Sequence, residues 1–174
     1  MIAVTEESSS PTVSALWAAA MLFAGVSVLL IALAWPGLKA TDAYPAGGIP
    51  VAAAVYATLG ALIVRRVGNR IGWILLVLGL CIAILGITSL YAVVGIVTHP
   101  GSVPGGMAVG ALSEVMFVPI VVGLAFMLLV FPTGSLPSRA WRPVAAVIVA
   151  VTLISIVGFF VGQRQVALPA PGGD

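Results

Sequence analysis

The sequence predicts an all-α integral membrane protein, a bundle of about five transmembrane helices with the N-terminus inside and the C-terminus outside. Three observations predict it. Of 174 residues, 61% are apolar and 7% charged, where soluble domains carry roughly 25% charged residues, so these side chains cannot build a water-facing surface. Apolar runs close to the length of a spanning helix, about 20 residues, recur five times with short connections between them. The basic residues alternate between those connections, as topology signals do.

Residues 1–12 form a polar tail, Thr5-Glu6-Glu7-Ser8-Ser9-Ser10-Pro11 among them, and the first span covers about 13–35. Ala32-Leu33-Ala34 looks like a signal-peptidase site, but the leading segment has two Glu and no Lys or Arg, and the apolar run is too long for a cleaved signal. The second span, the weakest, covers 46–64 if Ala46-Gly47-Gly48 enter the helix. The third covers 71–98, the fourth 107–131 and the fifth 143–162. A Pro/Gly-rich external tail, 163–174, follows.

Orientation follows from charge. Arg65, Arg66 and Arg70 fall in the second connection, and Arg139 and Arg142 in the fourth. The first connection holds only Lys39, the third holds no Lys or Arg, and Arg164 follows the fifth span. The positive-inside rule therefore places the second and fourth connections in the cytoplasm. Trp17, Trp73 and Trp141 fall at expected inner boundaries and Trp35 at an outer one, as aromatic belts do. The expected location is the cell membrane, multi-pass. With the C-terminus outside, a signal to a cytoplasmic effector requires a sixth crossing, and the last dozen residues are too short and too rich in Pro and Gly to supply it.

Few residues can carry chemistry. Glu114 is the one carboxylate inside an expected span, and an ionisable group at membrane depth is a functional candidate by default. Pro119 strengthens it, because a helical Pro deprives the Val115 carbonyl of its donor and places a polar, kinked patch near Glu114. The competing reading starts the helix later and leaves Glu114 at the outer headgroup boundary. His99, in the outer connection Thr98-His99-Pro100-Gly101, is either solvated or a pH sensor together with Glu114; a lone His is a weak metal signal. Cys81 is the only cysteine and sits in an apolar run, so it reads as a small hydrophobe and no internal disulfide forms. No catalytic, cofactor-binding or metal-binding set is expected, because the chain lacks a phosphate-cradling loop, paired intramembrane carboxylates, a His pair at helical spacing and a nucleophile beside a base.

Small residues recur every four positions: Ala53, Ala57 and Ala61, then Gly106 and Gly110, then Gly158 and Gly162. Such faces let helices approach within the bundle, or serve a homodimer or another membrane protein. Lipid is the expected surrounding, and seven basic residues split among loops do not suggest nucleic acid.

Two stretches carry a family likeness. Arg65-Arg66-Val67-Gly68-Asn69-Arg70-Ile71-Gly72-Trp73 resembles an Arg-Arg-Pro-Gly-Asn-Pro-Ile-Gly-Trp pattern. Leu129-Val130-Phe131-Pro132-Thr133-Gly134-Ser135-Leu136-Pro137-Ser138-Arg139-Ala140-Trp141-Arg142-Pro143 resembles a Leu-Leu-Phe-Pro-Asp-Gly-Arg-Leu-Pro-Ser-Arg-Arg-Trp-Arg-Pro pattern. Both patterns occur in the N-terminal multi-span membrane region of actinobacterial-type sensor histidine kinases. Val67 and Arg70 replace prolines, Thr133 replaces Asp, and Ser135 and Ala140 replace arginines. Physically the motifs are anchors: Asn69 caps the third helix, Phe131-Pro132-Thr133-Gly134 stops the fourth, Pro143 opens the fifth, and Trp73, Trp141 and the arginines pin the inner interface.

The resemblance implies a membrane-embedded sensor or input module of a two-component histidine kinase type protein, non-catalytic on its own, with the kinase half absent from this chain. The alternative is a stand-alone membrane scaffold or assembly partner. A third reading is a small proton-linked transporter using Glu114, although the duplicated broken helices of transporter folds are not seen.

Overall fold

The structure is a computed structural model that describes residues 11–38, 40–131, 138 and 141–166; the side chains of residues 37, 40–45 and 159–166 lie outside the description. Five α-helices follow one another: α1 (Pro11–Ala34), α2 (Ala40–Val67), α3 (Arg70–Val93), α4 (Gly106–Val130) and α5 (Arg142–Val166), with no strand among the described residues. Four stretches, Pro11–Ala34, Ala46–Val67, Arg70–Thr98 and Gly106–Val130, are long and apolar enough to cross a membrane. Leu29, Leu128 and Ile154 are 68%, 74% and 70% exposed. A surface of this kind suits a lipid surrounding, since exposed apolar patches of this extent are a liability in water.

Each boundary has a local cause. α1 opens on Pro11, where a missing N–H costs no helical bond. It ends in a short 3-10 turn, Trp35–Gly37, containing Pro36. α2 takes in Ala46, Gly47 and Gly48 and begins as early as Ala40. It stops at Gly68, whose φ of 65° lies in the left-handed region and whose N–H donates to the Val64 carbonyl at 3.1 Å. One residue later Asn69, in an extended conformation, accepts from the Ile71 N–H at 3.1 Å and starts α3. α5 runs on to Val166, beyond Gly162, where the sequence placed the end of the fifth span.

Helix α3 is the hub, packing against α1, α2 and α4. Its contact with α2 is the closest. The expected small-residue stripe is buried there, with Ala53 and Ala57 at 0% exposure and Ala61 at 5%. A Cβ placed on Gly79 would lie 2.5 Å from the Ala57 nitrogen, and one on Gly72 would lie 2.7 Å from the Val64 nitrogen, so neither glycine can gain a side chain without moving α2. On α1 the buried residues Val13, Ala20, Ala24, Ser27 and Ala34 form one stripe at helical spacing. Ser27 donates to the Phe23 carbonyl at 2.9 Å, which lets a buried hydroxyl sit beside Gly86.

At its far end α3 does not continue as an α-helix. Residues Val94–Thr98 form a π-helical turn, a feature the sequence did not announce. Gly95 is buried against Val103 there, the His99 N–H reaches back five residues to the Val94 carbonyl at 2.8 Å, and Thr98 Oγ1 donates to the Ala34 carbonyl at 3.4 Å. Tyr91 Oη donates to the Pro104 carbonyl at 3.0 Å and ties the following loop down. Helix α5 differs from the rest: it meets chiefly α4, and most of its described side chains are exposed.

Candidate functional site

Four of the anchor residues named from sequence gather at one end of the bundle. Arg65 and Arg66 close α2, and Arg70 opens α3 with Trp73 in its first turn. The end of α4 joins them, since Val130 and Met127 pack on Ile71 and Leu75. Trp141 and Arg142 stand at the start of α5, where the Trp141 N–H donates to the Ser138 carbonyl at 3.1 Å. Arg139 lies outside the described residues. Arg65 reaches α1, donating from Nη2 to Ser14 Oγ at 3.1 Å, and Trp17 Nε1 donates across to Thr58 Oγ1 at 3.2 Å.

The residues proposed to act together do not meet. Glu114 lies inside α4, eight residues from its first residue or about 12 Å along the axis. It is exposed, on an outward stripe with Phe117, Val121 and Leu128, and no described residue hydrogen-bonds to it. Pro119 is five positions on, about 140° further round the helix, and faces α3 and α5 instead. α4 remains a continuous helix through Pro119, and Val115, whose carbonyl loses its donor, is buried at 4%. Glu114 and Pro119 therefore stand on different faces of α4. His99 is exposed at the end of the π turn, with no described link to Glu114. Among the described residues no three His, Cys, Asp or Glu side chains cluster in a way that would hold a metal ion.

A feature the sequence did not single out is a cleft of about 390 Å³ between α3, α4 and α5. α3 contributes Trp73, Val77 and Cys81, α4 contributes Pro119 and Phe126, and α5 contributes Thr152. Thr152 Oγ1 already donates to the Ile148 carbonyl at 2.7 Å, so the cleft offers apolar walls and no unspent hydroxyl proton. Gly123 shapes it too: a Cβ there would lie 3.1 Å from Leu78 Cδ1, so a side chain at this position would press on Leu78 of α3. A volume in this range suits a small hydrophobic ligand. The available signal was Pro119 and Gly123 one turn apart on α4, facing Cys81, a juxtaposition that needs the helix packing to be known. Compared with protein-family models, with curated proteins and with solved structures, the chain matches none of them.

Proposed function

We propose that this chain is the membrane-embedded input module of a sensor of the two-component histidine kinase type, a five-span domain of the cell membrane that performs no catalysis of its own. In this reading the ends carrying Arg65, Arg66, Arg70, Arg139 and Arg142 are cytoplasmic, and the C-terminus is outside. The observation that carries it is the contrast between a close-packed α1–α3 core and a sparsely held α5, separated by the apolar cleft. A hydrophobic ligand entering that cleft from the bilayer contacts α3, α4 and α5 together. Its binding free energy then depends on where α5 stands, which is the differential interaction a conformational input requires. The loop resemblance supplies the kinase assignment.

The test is the reading frame after codon 174. The proposal expects a further apolar span starting at roughly residues 180 to 200, then a phosphoacceptor helix pair and an ATP-binding domain. A stop codon in an intact gene would remove the kinase-fragment form of the proposal.

A second reading, a membrane scaffold that assembles with another membrane protein, is favoured by Glu114 on the outward stripe of α4. Ionisable residues within spanning helices almost always face a bundle interior or a water-filled cavity, and this one faces away from its own described bundle, where a partner helix would restore such an interior. Co-elution of a partner in mild detergent supports this reading, and a monodisperse monomer opposes it.

A further inference from the structure

We propose that the groove between α1 and α2 at their arginine-bearing end binds one anionic phospholipid, with its phosphate on Arg65 and Arg66 and its first acyl carbons against Trp17 and Leu62. The groove, about 290 Å³, is lined by Trp17 of α1 and by Thr58, Ala61, Leu62, Arg65 and Arg66 of α2. Two cross-helix hydrogen bonds frame it, Arg65 to Ser14 at the mouth and Trp17 to Thr58 deeper in. Arg65 stands seven residues beyond Thr58, about 10 Å along the helix axis. Charge therefore sits at the mouth, with an indole and a leucine below it.

A phospholipid has the same polarity profile over the same depth. Its phosphate lies at the headgroup level, where Arg in the last turn of a spanning helix and Trp at the boundary both belong. A guanidinium presents five donors in a planar fork suited to phosphate oxygens. Arg65 spends one of them on Ser14, which orients the fork, and exposed Arg66 adds a second guanidinium beside it. Arg70 and Arg142 are exposed as well but line no part of this groove, so the exposed arginines are not equivalent. Inorganic phosphate shares the headgroup chemistry; the apolar floor of Ala61 and Leu62 points to the lipid. The site requires membrane residence and is independent of the sensor reading.

The test is native mass spectrometry of the full chain released from nanodiscs of phosphatidylcholine with a minor fraction of phosphatidylglycerol. One retained phosphatidylglycerol per wild-type chain is expected. Arg65→Gln with Arg66→Gln should weaken retention about thirtyfold, while Arg70→Gln with Arg142→Gln, which removes the same formal charge, should leave it intact. Arg65→Lys with Arg66→Lys keeps both charges and loses both forks; it is expected to fold and still to weaken retention severalfold. Equal loss in the two double variants to Gln would overturn the site in favour of diffuse surface charge, and unchanged retention in the double variant to Lys would overturn recognition by the guanidinium forks. Displacement of the lipid by an equal concentration of inorganic phosphate would overturn the lipid assignment.

Discussion

At the scale of single residues, the glycines separate packing from propensity. Gly79 and Gly25 both sit inside helices, where Gly costs roughly 0.5–1 kcal/mol relative to Ala. A Cβ on Gly79 would press the α2 backbone at Ala57, whereas a Cβ on Gly25 has nothing within 4 Å. Gly79→Ala should therefore destabilise the bundle by about 1–3 kcal/mol, the usual cost of overpacking. Gly25→Ala should leave it unchanged or slightly more stable. Thermal unfolding in one detergent, monitored by circular dichroism, checks the pair; similar midpoints would mean that α2 and α3 are not in backbone contact. Asn69→Ala should cost about 1 kcal/mol through the lost cap on α3. Glu114→Gln should change stability by less than about 0.5 kcal/mol, since no described residue bonds to it, and should abolish co-elution of a partner under the scaffold reading. A large loss of stability in that variant would place Glu114 in the bundle's own packing.

At the scale of elements, what sequence could and could not disclose divides along local and non-local physics. The Asn69 cap and the Ala53, Ala57, Ala61 stripe were readable because each depends on neighbours within one or two turns. The π turn at Val94–Thr98 was not, because it depends on Val103 seating against Gly95 and on Thr98 reaching the last carbonyl of α1, contacts formed only when distant segments meet. For the same reason Pro119 was paired with Glu114 by proximity in sequence, and the helix geometry sets them on different faces. The cleft, made by three helices, had no local signature. It yields a prediction about α5: Thr152→Trp should fill the cleft and slow modification of Cys81, the only thiol, by a membrane-permeant maleimide. An unchanged rate would mean that the reagent reaches Cys81 by a route other than this cleft. Amides of α5 between residues 142 and 158 should also exchange with deuterium faster than those of α3, because few buried contacts hold them.

At the scale of the whole molecule, the distribution of charge is as informative as its scarcity. Arg65, Arg66 and Arg70 stand at the end where α2 meets α3, and Arg142 opens α5 beyond the end of α4 that packs there. The opposite end, around Trp35, the π turn and Gly105, displays no Lys or Arg among its described residues. This asymmetry is a force on insertion, because basic loops resist translocation while neutral ones do not. Reporters inserted in frame, with the rest of the chain continuing after them, should therefore give cytoplasmic signals after Val67 and after Ser138, and external signals after Gly101. The three arginines of the α2–α3 turn carry most of that bias, so Arg65→Gln, Arg66→Gln and Arg70→Gln together should produce a mixed population at the Val67 fusion. The Ser138 fusion should stay cytoplasmic in part, held by Arg139 and Arg142. If the triple variant inserted in one orientation, Arg139 and Arg142 or the first helix would have to carry the bias. Arg65 and Arg66 would then be free for lipid binding alone, a separation of roles that their variants can detect by comparing topology with phosphatidylglycerol retention in the same preparation.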